Sequence, residues 1–245
     1  MTMDSESKAS ASSEQLSLDR SRFTFQHSWF DQDVRPVWEK LLIADPIRIR
    51  GIKRNILEVG SFEGASTTWI LDHLMTHPDS QMTAIDTFEG GMEHLDPDQV
   101  YAYDVSTLES RFRSNTSKCE HVNKLRVMKA KSDDALLHLR REGARFDFIY
   151  IDASHVAIDV LHDAVICWRM LDVHGTMVFD DLTWKGYMED CYNPRIAIKS
   201  FLKCVPQETE AMETDSQMWL TKVPNRISAT PNPDPALYYG INVSK

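Results

Sequence analysis

Several things the 245-residue sequence does not contain bound what it can be. It has no Cys-x-x-Cys pair: Cys119, Cys167, Cys191 and Cys204 stand apart, at no zinc-ribbon spacing. That usage predicts free, buried thiols in a reducing compartment. It has no run of about 18 apolar residues, so no membrane span is expected. Its opening stretch is rich in Ser, Glu and Asp and has no apolar h-region, so it does not read as a secretory signal. Positive charge is scarce, with 27 Lys and Arg against 37 Asp and Glu and a formal net charge of −10. A polyanion such as nucleic acid is a poor default partner for such a chain. The expectation is a cytoplasmic protein with no nucleic-acid or membrane partner. No internal repeat is visible, and no Gly-x-Gly-x-x-Gly follows any strand, which argues against a dinucleotide dehydrogenase.

What is there is a 42% hydrophobic chain, enough for one α/β domain with appendages. Residues 1–20 read as a disordered tail and 21–50 as a helical, aromatic lid segment. Residues 51–223 form the main domain, and 224–245 an irregular, proline-containing tail. In the lid segment a helix is expected from Asp33 to Ile43, with Pro36 in its first turn and Trp38, Leu41 and Leu42 on one face. Beyond Lys53, strands and helices alternate. Strands are expected at Asn55–Val59, Gln81–Ile85, Leu125–Lys129, Phe146–Ile151 and Thr176–Phe179. Helices are expected at Ala65–Thr76, around Thr107–Arg113, from Ser132 to Arg141, at Ile158–Leu171 and at Pro194–Cys204. The stripe of the fourth is Leu161, Val165, Trp168 and Leu171. Two final strands, near 208–213 and 217–223, face each other across Thr214-Asp215-Ser216 as a hairpin. Such alternation predicts a doubly wound, mostly parallel seven-stranded sheet with a C-terminal antiparallel hairpin.

Ligands of open α/β sheets bind beyond the carboxyl ends of the strands. The residues there are Glu58 and Gly60, Asp86, Ser132 and Asp133, Asp152 and His155, and Asp180 with Asp181. The first strand runs into Glu58-Val-Gly60-Ser61-Phe-Glu-Gly64-Ala-Ser66, a glycine turn that opens a helix. Such a turn allows close backbone approach, and the helix start offers free N–H groups. An acid at this turn would repel a pyrophosphate but suits an ammonium or sulfonium group. Asp86, followed by Thr87, can accept both hydroxyls of a ribose, and Ser132 and Asp133 can meet an adenine edge. The combination describes a nucleoside site without a phosphate requirement and points to S-adenosylmethionine, with Ser61, Ser66, Thr87 and Asp152 counted among its contacts. The competing reading is that the glycines only shape a turn and Asp86 only caps one.

Ile56–Leu71, Thr83–Gly91 and Phe146–Trp184 resemble the class I S-adenosylmethionine-dependent methyltransferases. More narrowly they resemble the small metal-dependent O-methyltransferases of the catechol and macrolide-sugar types. Ala84-Ile-Asp86-Thr-Phe-Glu-Gly90, Tyr150-Ile-Asp152-Ala-Ser-His155 and Met177-Val-Phe-Asp180-Asp181-Leu-Thr-Trp184 carry the likeness, which covers about residues 53–223. The resemblance implies a Rossmann-like fold and methyl transfer to a hydroxylated small molecule. It also implies a divalent cation, Mg²⁺ or another, held by Asp152, Asp180 and Asp181. Oxygen-only ligands of this kind suit Mg²⁺, although acids also end strands for purely structural reasons. His155 stands where the catechol type has a lysine base; it can serve as base, substrate contact, metal ligand or helix cap. Trp184, Tyr187 and Trp29, with Phe30 and Trp38, are candidates for an aromatic lid over the acceptor, or for packing of the N-terminal helix. His73 and His77 stand four apart but lack the glutamate of a His-Glu-x-x-His zinc motif and end at Pro78. Two further functions stay open: metal-independent N-methylation of a small metabolite, and a non-catalytic scaffold that binds the cofactor. A homodimer through the N-terminal aromatic segment is a further possibility.

Overall fold

The computed structural model describes residues 20–43, 51–95 and 103–224, apart from the side chains of Met92 and Glu93. The expected terminal tails, residues 1–19 and 225–245, lie outside the described residues, as do 44–50 and part of the 89–122 excursion. No helix among the described residues is long and apolar enough to cross a membrane.

Seven strands form one sheet in the order β3-β2-β1-β4-β5-β7-β6. They are β1 (Asn55–Val59), β2 (Gln81–Asp86), β3 (Leu125–Lys129), β4 (Phe146–Ile151), β5 (Leu171–Phe179), β6 (Thr209–Glu213) and β7 (Met218–Lys222). The first five are parallel; β7 runs antiparallel to β5 and pairs with β6 as a hairpin. Thr214 N donates to Gln217 O at 2.9 Å and closes the expected turn. The order turns back at β1, so the carboxyl ends of β1 and β4 sit side by side where ligands of such sheets bind.

The crossover helices are α1 (Ala65–His73), α2 (Leu108–Thr116), α3 (Ser132–Arg141), α4 (Ala157–Met170) and α5 (Pro194–Cys204). Side chains alternate across each strand. Leu57 and Val59 of β1, Ile149 and Ile151 of β4, and Met177 and Phe179 of β5 bury against α3, α4 and α5. Ile56, Phe148, Tyr150, Val178 and Trp219 bury on the opposite face, with α1 and the N-terminal segment. The second face is the one on which Tyr150, and hence Asp152 and Asp180 at the same phase, project.

Three local expectations are corrected. The N-terminal helix begins at Phe30 and winds in wide, five-residue turns at Phe30–Val34 and Glu39–Ile43 around one α turn, Arg35–Trp38. The wider turn brings Leu42 and Ile43 over the core and leaves Leu41 38% exposed. Of the expected α4 stripe, Trp168 and Leu171 are buried and Leu161 packs against the core, but Val165 is 46% exposed and Val160, Ala164 and Cys167 face the sheet instead; the small Ala164 and Cys167 let the helix lie close to the sheet. β5 starts at Leu171, not Thr176, and loops out Asp172–Gly175 before pairing resumes at Thr176 with Phe148. The cysteines divide evenly: Cys119 and Cys167 are buried, while Cys191 and Cys204 are exposed. Phe23, Phe30 and Trp38 of the N-terminal segment are buried in the chain's own core.

Candidate active site

At the end of β1 the chain turns at Gly60, whose φ is 86°. A Cβ there would meet the carbonyl oxygen of Asp152 at 1.9 Å, so the closeness of β1 and β4 itself demands glycine. Gly64 holds the left-handed conformation at the start of α1, with φ of 83°. Between them the carboxylate of Glu58, fully buried, accepts from Ser61 Oγ at 2.9 Å, Ser66 Oγ at 2.6 Å and Thr67 Oγ1 at 2.5 Å. Burial pushes the Glu58 carboxyl up to about 7, against the pull of these three hydroxyls and with a small further push from Asp86. Its carboxylate, expected beside the cofactor, is thus engaged by hydroxyls of the chain itself. Glu58 and Gly64 stand behind the turn and do not line the cleft, because the hydroxyls of the turn and of α1 take up the acid.

Asp86 braces the same turn from β2. Its Oδ2 accepts from Ser61 N at 2.7 Å and Phe62 N at 2.8 Å, and its Oδ1 from Phe88 N at 2.6 Å. It lines the cleft together with Gly60, Ser61, Ser66, Thr87, Ser132, Asp133 and Asp152. The cleft encloses ≈ 1300 Å³. Carboxylates crowd it, and among the described residues Lys131 is its one Lys or Arg. Such a lining favours a cationic ligand over a phosphate.

The N-terminal segment straps one wall. The buried carboxylate of Glu63 accepts from Gln26 N at 2.8 Å and Tyr103 OH at 2.6 Å, and pairs with Arg111 at 2.9 Å. Segment, turn and excursion thus meet at one acid. Above it, Trp29 stacks on His27 with ring centroids 4.1 Å apart and lies 5.7 Å from Phe62. The expected aromatic lid therefore splits. Trp29 sits over the glycine turn, Trp184 and Tyr187 pack together at 5.0 Å beyond β5, and Phe30 and Trp38 are core residues.

The acid cluster lies at the ends of β4 and β5. The Tyr150 hydroxyl is 2.9 Å from Asp152 Oδ2 and 2.5 Å from Asp180 Oδ2. A phenol has one hydrogen, so it cannot donate to both acids. Burial and mutual repulsion push both carboxyls above the ordinary range, and they keep the phenol protonated. Asp181 departs from the pair. In a left-handed conformation, φ 58°, it turns its carboxylate to His155, with Oδ2 2.9 Å from Nε2. The imidazole stacks on Trp184 at 4.4 Å. Tyr150 and Glu63 line the cleft, and the sequence reading did not pick them out. Tyr150 had a signal, since a residue two before Asp152 shares its strand face; Glu63 had none.

The three carboxylates expected to hold a cation stand as a pair, Asp152 and Asp180, and a single acid, Asp181. Among the described residues no three His, Cys, Asp or Glu side chains converge as a metal group, and Asp181 faces His155. Asp152 and Asp180 alone, both within reach of one hydroxyl oxygen, still fit Mg²⁺, which binds through one or two carboxylates completed by water or substrate oxygens.

Residues 57–182, just over half of the chain, match the family model described as a methyltransferase domain. No curated protein matches. Among solved structures, the O-methyltransferase from Bacillus cereus in complex with S-adenosylhomocysteine is 22% identical, with a TM-score of 0.54 over 78% of this chain and 83% of that one. TomG from Streptomyces achromogenes, an O-methyltransferase involved in tomaymycin synthesis and solved with S-adenosylmethionine, is 16% identical at a TM-score of 0.55 over 91% and 92%. MycE of the mycinamycin biosynthetic pathway, solved with Mg, S-adenosylhomocysteine and mycinamycin VI, is 16% identical at 0.53; the match covers 86% of this chain and 54% of MycE. The glycine turn, the braced Asp86 and the sheet order agree with the family match: the chain belongs to the methyltransferase-domain family and is a class I S-adenosylmethionine-dependent methyltransferase.

Proposed function

We propose that the enzyme methylates a hydroxyl of a small-molecule acceptor, with a divalent cation assisting. The observation that carries this reading is the meeting, in one acidic cleft, of the glycine turn with Asp152, Asp180 and His155. The O-methyltransferases among the similar structures, and the Mg bound in MycE, support it. Bound S-adenosylmethionine supplies an electrophilic methyl group on sulfur, and a divalent cation lowers the pKa of an acceptor hydroxyl.

The residues of the chain take the following parts. Gly60, Ser61 and Ser66 shape the methionine end of the cofactor site. Asp86 and Thr87 face the ribose, and Ser132 and Asp133 face the adenine. Asp152 and Asp180 hold the cation. With His155 Nε2–H donating to Asp181, Nδ1 carries the lone pair that takes the acceptor's proton. Trp29, Trp184 and Tyr187 flank the acceptor and keep water from the reacting atoms. Transfer is a displacement in line with the sulfur, so holding the acceptor oxygen in place contributes most.

The test is transfer of label from S-adenosylmethionine to a panel of hydroxylated and amine metabolites, with Mg²⁺ and with chelator. Labelled hydroxyl products that disappear with chelator support the reading. Chelator-insensitive labelling of amines would establish metal-independent N-methylation instead, a reading favoured by the turn of Asp181 toward His155. Cofactor binding with no transfer to any acceptor would leave a scaffold.

A further inference from the structure

Gln217 belongs to the turn between β6 and β7, and nothing in its sequence neighbourhood marks it as functional. It is fully buried. Its Oε1 accepts from two indoles, Trp38 Nε1 at 3.2 Å and Trp219 Nε1 at 3.1 Å. An indole N–H only donates, so the atom that both indoles meet is the carbonyl oxygen, and the amide cannot flip. The NH₂ group must then point the other way.

That direction is toward the acid pair. β5 and β7 are antiparallel with Phe179 opposite Met218, so one further step places Asp180 opposite Gln217. Gln217 shares the strand phase of Trp219, which faces the N-terminal segment, and Asp180 shares that of Val178 on the same face. Leu182 N donates to Ser216 O at 2.8 Å and holds the two turns together. Gln217 Nε2 is buried and makes no hydrogen bond within the described residues, so its two N–H groups stay available on the Asp180 side. A buried amide with its oxygen saturated and its N–H groups aimed at a carboxylate is costly unless that carboxylate is held where the amide can serve it. Trp38 also packs edge-on against Tyr150 at 4.8 Å, so the same indole supports both neighbours of Asp180.

We propose that Gln217, locked by Trp38 and Trp219, is a positioning residue that fixes the Asp180 carboxylate for cation binding beside Asp152. The inference rests on the metal-assisted reading of the cleft. It gives the N-terminal segment a part in the site: through Trp38, that segment orients an amide on the far hairpin. Partners of this outer kind typically change metal affinity by about 10–100-fold when removed.

The experiment is calorimetric titration of Mg²⁺ into the full-length protein, with S-adenosylmethionine affinity measured in parallel. Gln217→Met is expected to weaken Mg²⁺ binding by about tenfold or more and to leave cofactor affinity unchanged. Gln217→Met leaves two indole N–H groups without an acceptor, so Trp38→Phe and Trp219→Phe are measured as well. Each keeps one indole on the amide, and each is expected to give a smaller loss of Mg²⁺ affinity. Wild-type Mg²⁺ affinity in a folded Gln217→Met protein, or in both indole variants, overturns the positioning role alone. A wild-type protein that binds no Mg²⁺ and transfers methyl groups in chelator overturns the metal reading and this inference together.

Discussion

The carbonyl oxygen of Asp152 occupies the place where any side chain at position 60 would begin: a Cβ on Gly60 would fall 1.9 Å from it. The obstacle is backbone, held by Asp152 N donating to Val59 O at 2.8 Å and by Gly60 N donating to Ile85 O at 2.9 Å. The cofactor turn and the acid pair are therefore one rigid junction. Gly60→Ala should pry them apart and add the strain of a positive φ, about 1–3 kcal/mol before the clash is counted. The expected result is a melting temperature lower by several degrees and no measurable S-adenosylmethionine binding by calorimetry. Normal binding with an unchanged melt would show that the junction can yield.

Glu58 predicts a pH dependence of stability. Its folded carboxyl sits at about 7 against an ordinary 4.5, so the folded state holds the proton more tightly than the unfolded chain. Stability from this group is full below about 4.5, falls as pH rises toward 7, and is flat above. The ionised form then costs on the order of 3 kcal/mol relative to the protonated one. Denaturant titrations from pH 5 to 8 should show this decline in the wild type and a shallower one in Glu58→Gln. Parallel slopes in the two proteins would remove Glu58 as the source.

The sheet was legible because four of the five parallel strands are short apolar runs closed by an acid or glycine, and β3 is marked by Leu125, Val127 and Met128; Asn55–Val59, Leu125–Lys129 and Phe146–Ile151 coincide with the strands found. Topology then placed the polar residues at one rim, and the cleft gathers all of them except Glu58 and Gly64. What a carboxylate binds was not legible. Glu58, Asp86 and Asp181 each found a partner on another element: hydroxyls of α1, amides of the β1 turn, and His155. Those choices depend on distances between segments, which spacing along the chain does not encode. In the α4 stripe Val165 alone missed, for a local reason: Ala164 and Cys167 are less apolar but small enough to meet the sheet, while Trp168 and Leu171 are buried as expected.

The contact of His155 with Asp181 predicts a division of labour that kinetics can read. If the imidazole takes the acceptor's proton, His155→Ala should lower kcat by about 100-fold or more, with cofactor affinity unchanged. Asp181→Asn keeps the shape but weakens the hold on the ring, so its loss should be smaller and should shift the pH profile of kcat. A loss confined to the acceptor KM in both variants would make His155 a binding residue.

Tyr150→Phe removes one oxygen from between two buried carboxyls. In the wild type the hydroxyl favours the ionised form of whichever carboxyl it donates to, against burial and mutual repulsion that raise both acids. Without it the pair is harder to ionise, and the metal-free protein should lose about 1–3 kcal/mol at pH 8, above the value of about 7 to which Asp180 is raised. The sign follows from linkage: acids with raised folded pKa values cost stability as pH climbs above the ordinary carboxylate range, so the loss should shrink toward pH 5. A cation between Asp152 and Asp180 would do the work of the missing hydroxyl. Millimolar Mg²⁺ should therefore restore more of the pH 8 melting temperature in Tyr150→Phe than in the wild type. Melting curves at pH 5 and pH 8, each with Mg²⁺ and with chelator, separate the cases; equal Mg²⁺ shifts in the two proteins at pH 8 would mean that the hydroxyl and the cation do not share the space between the acids.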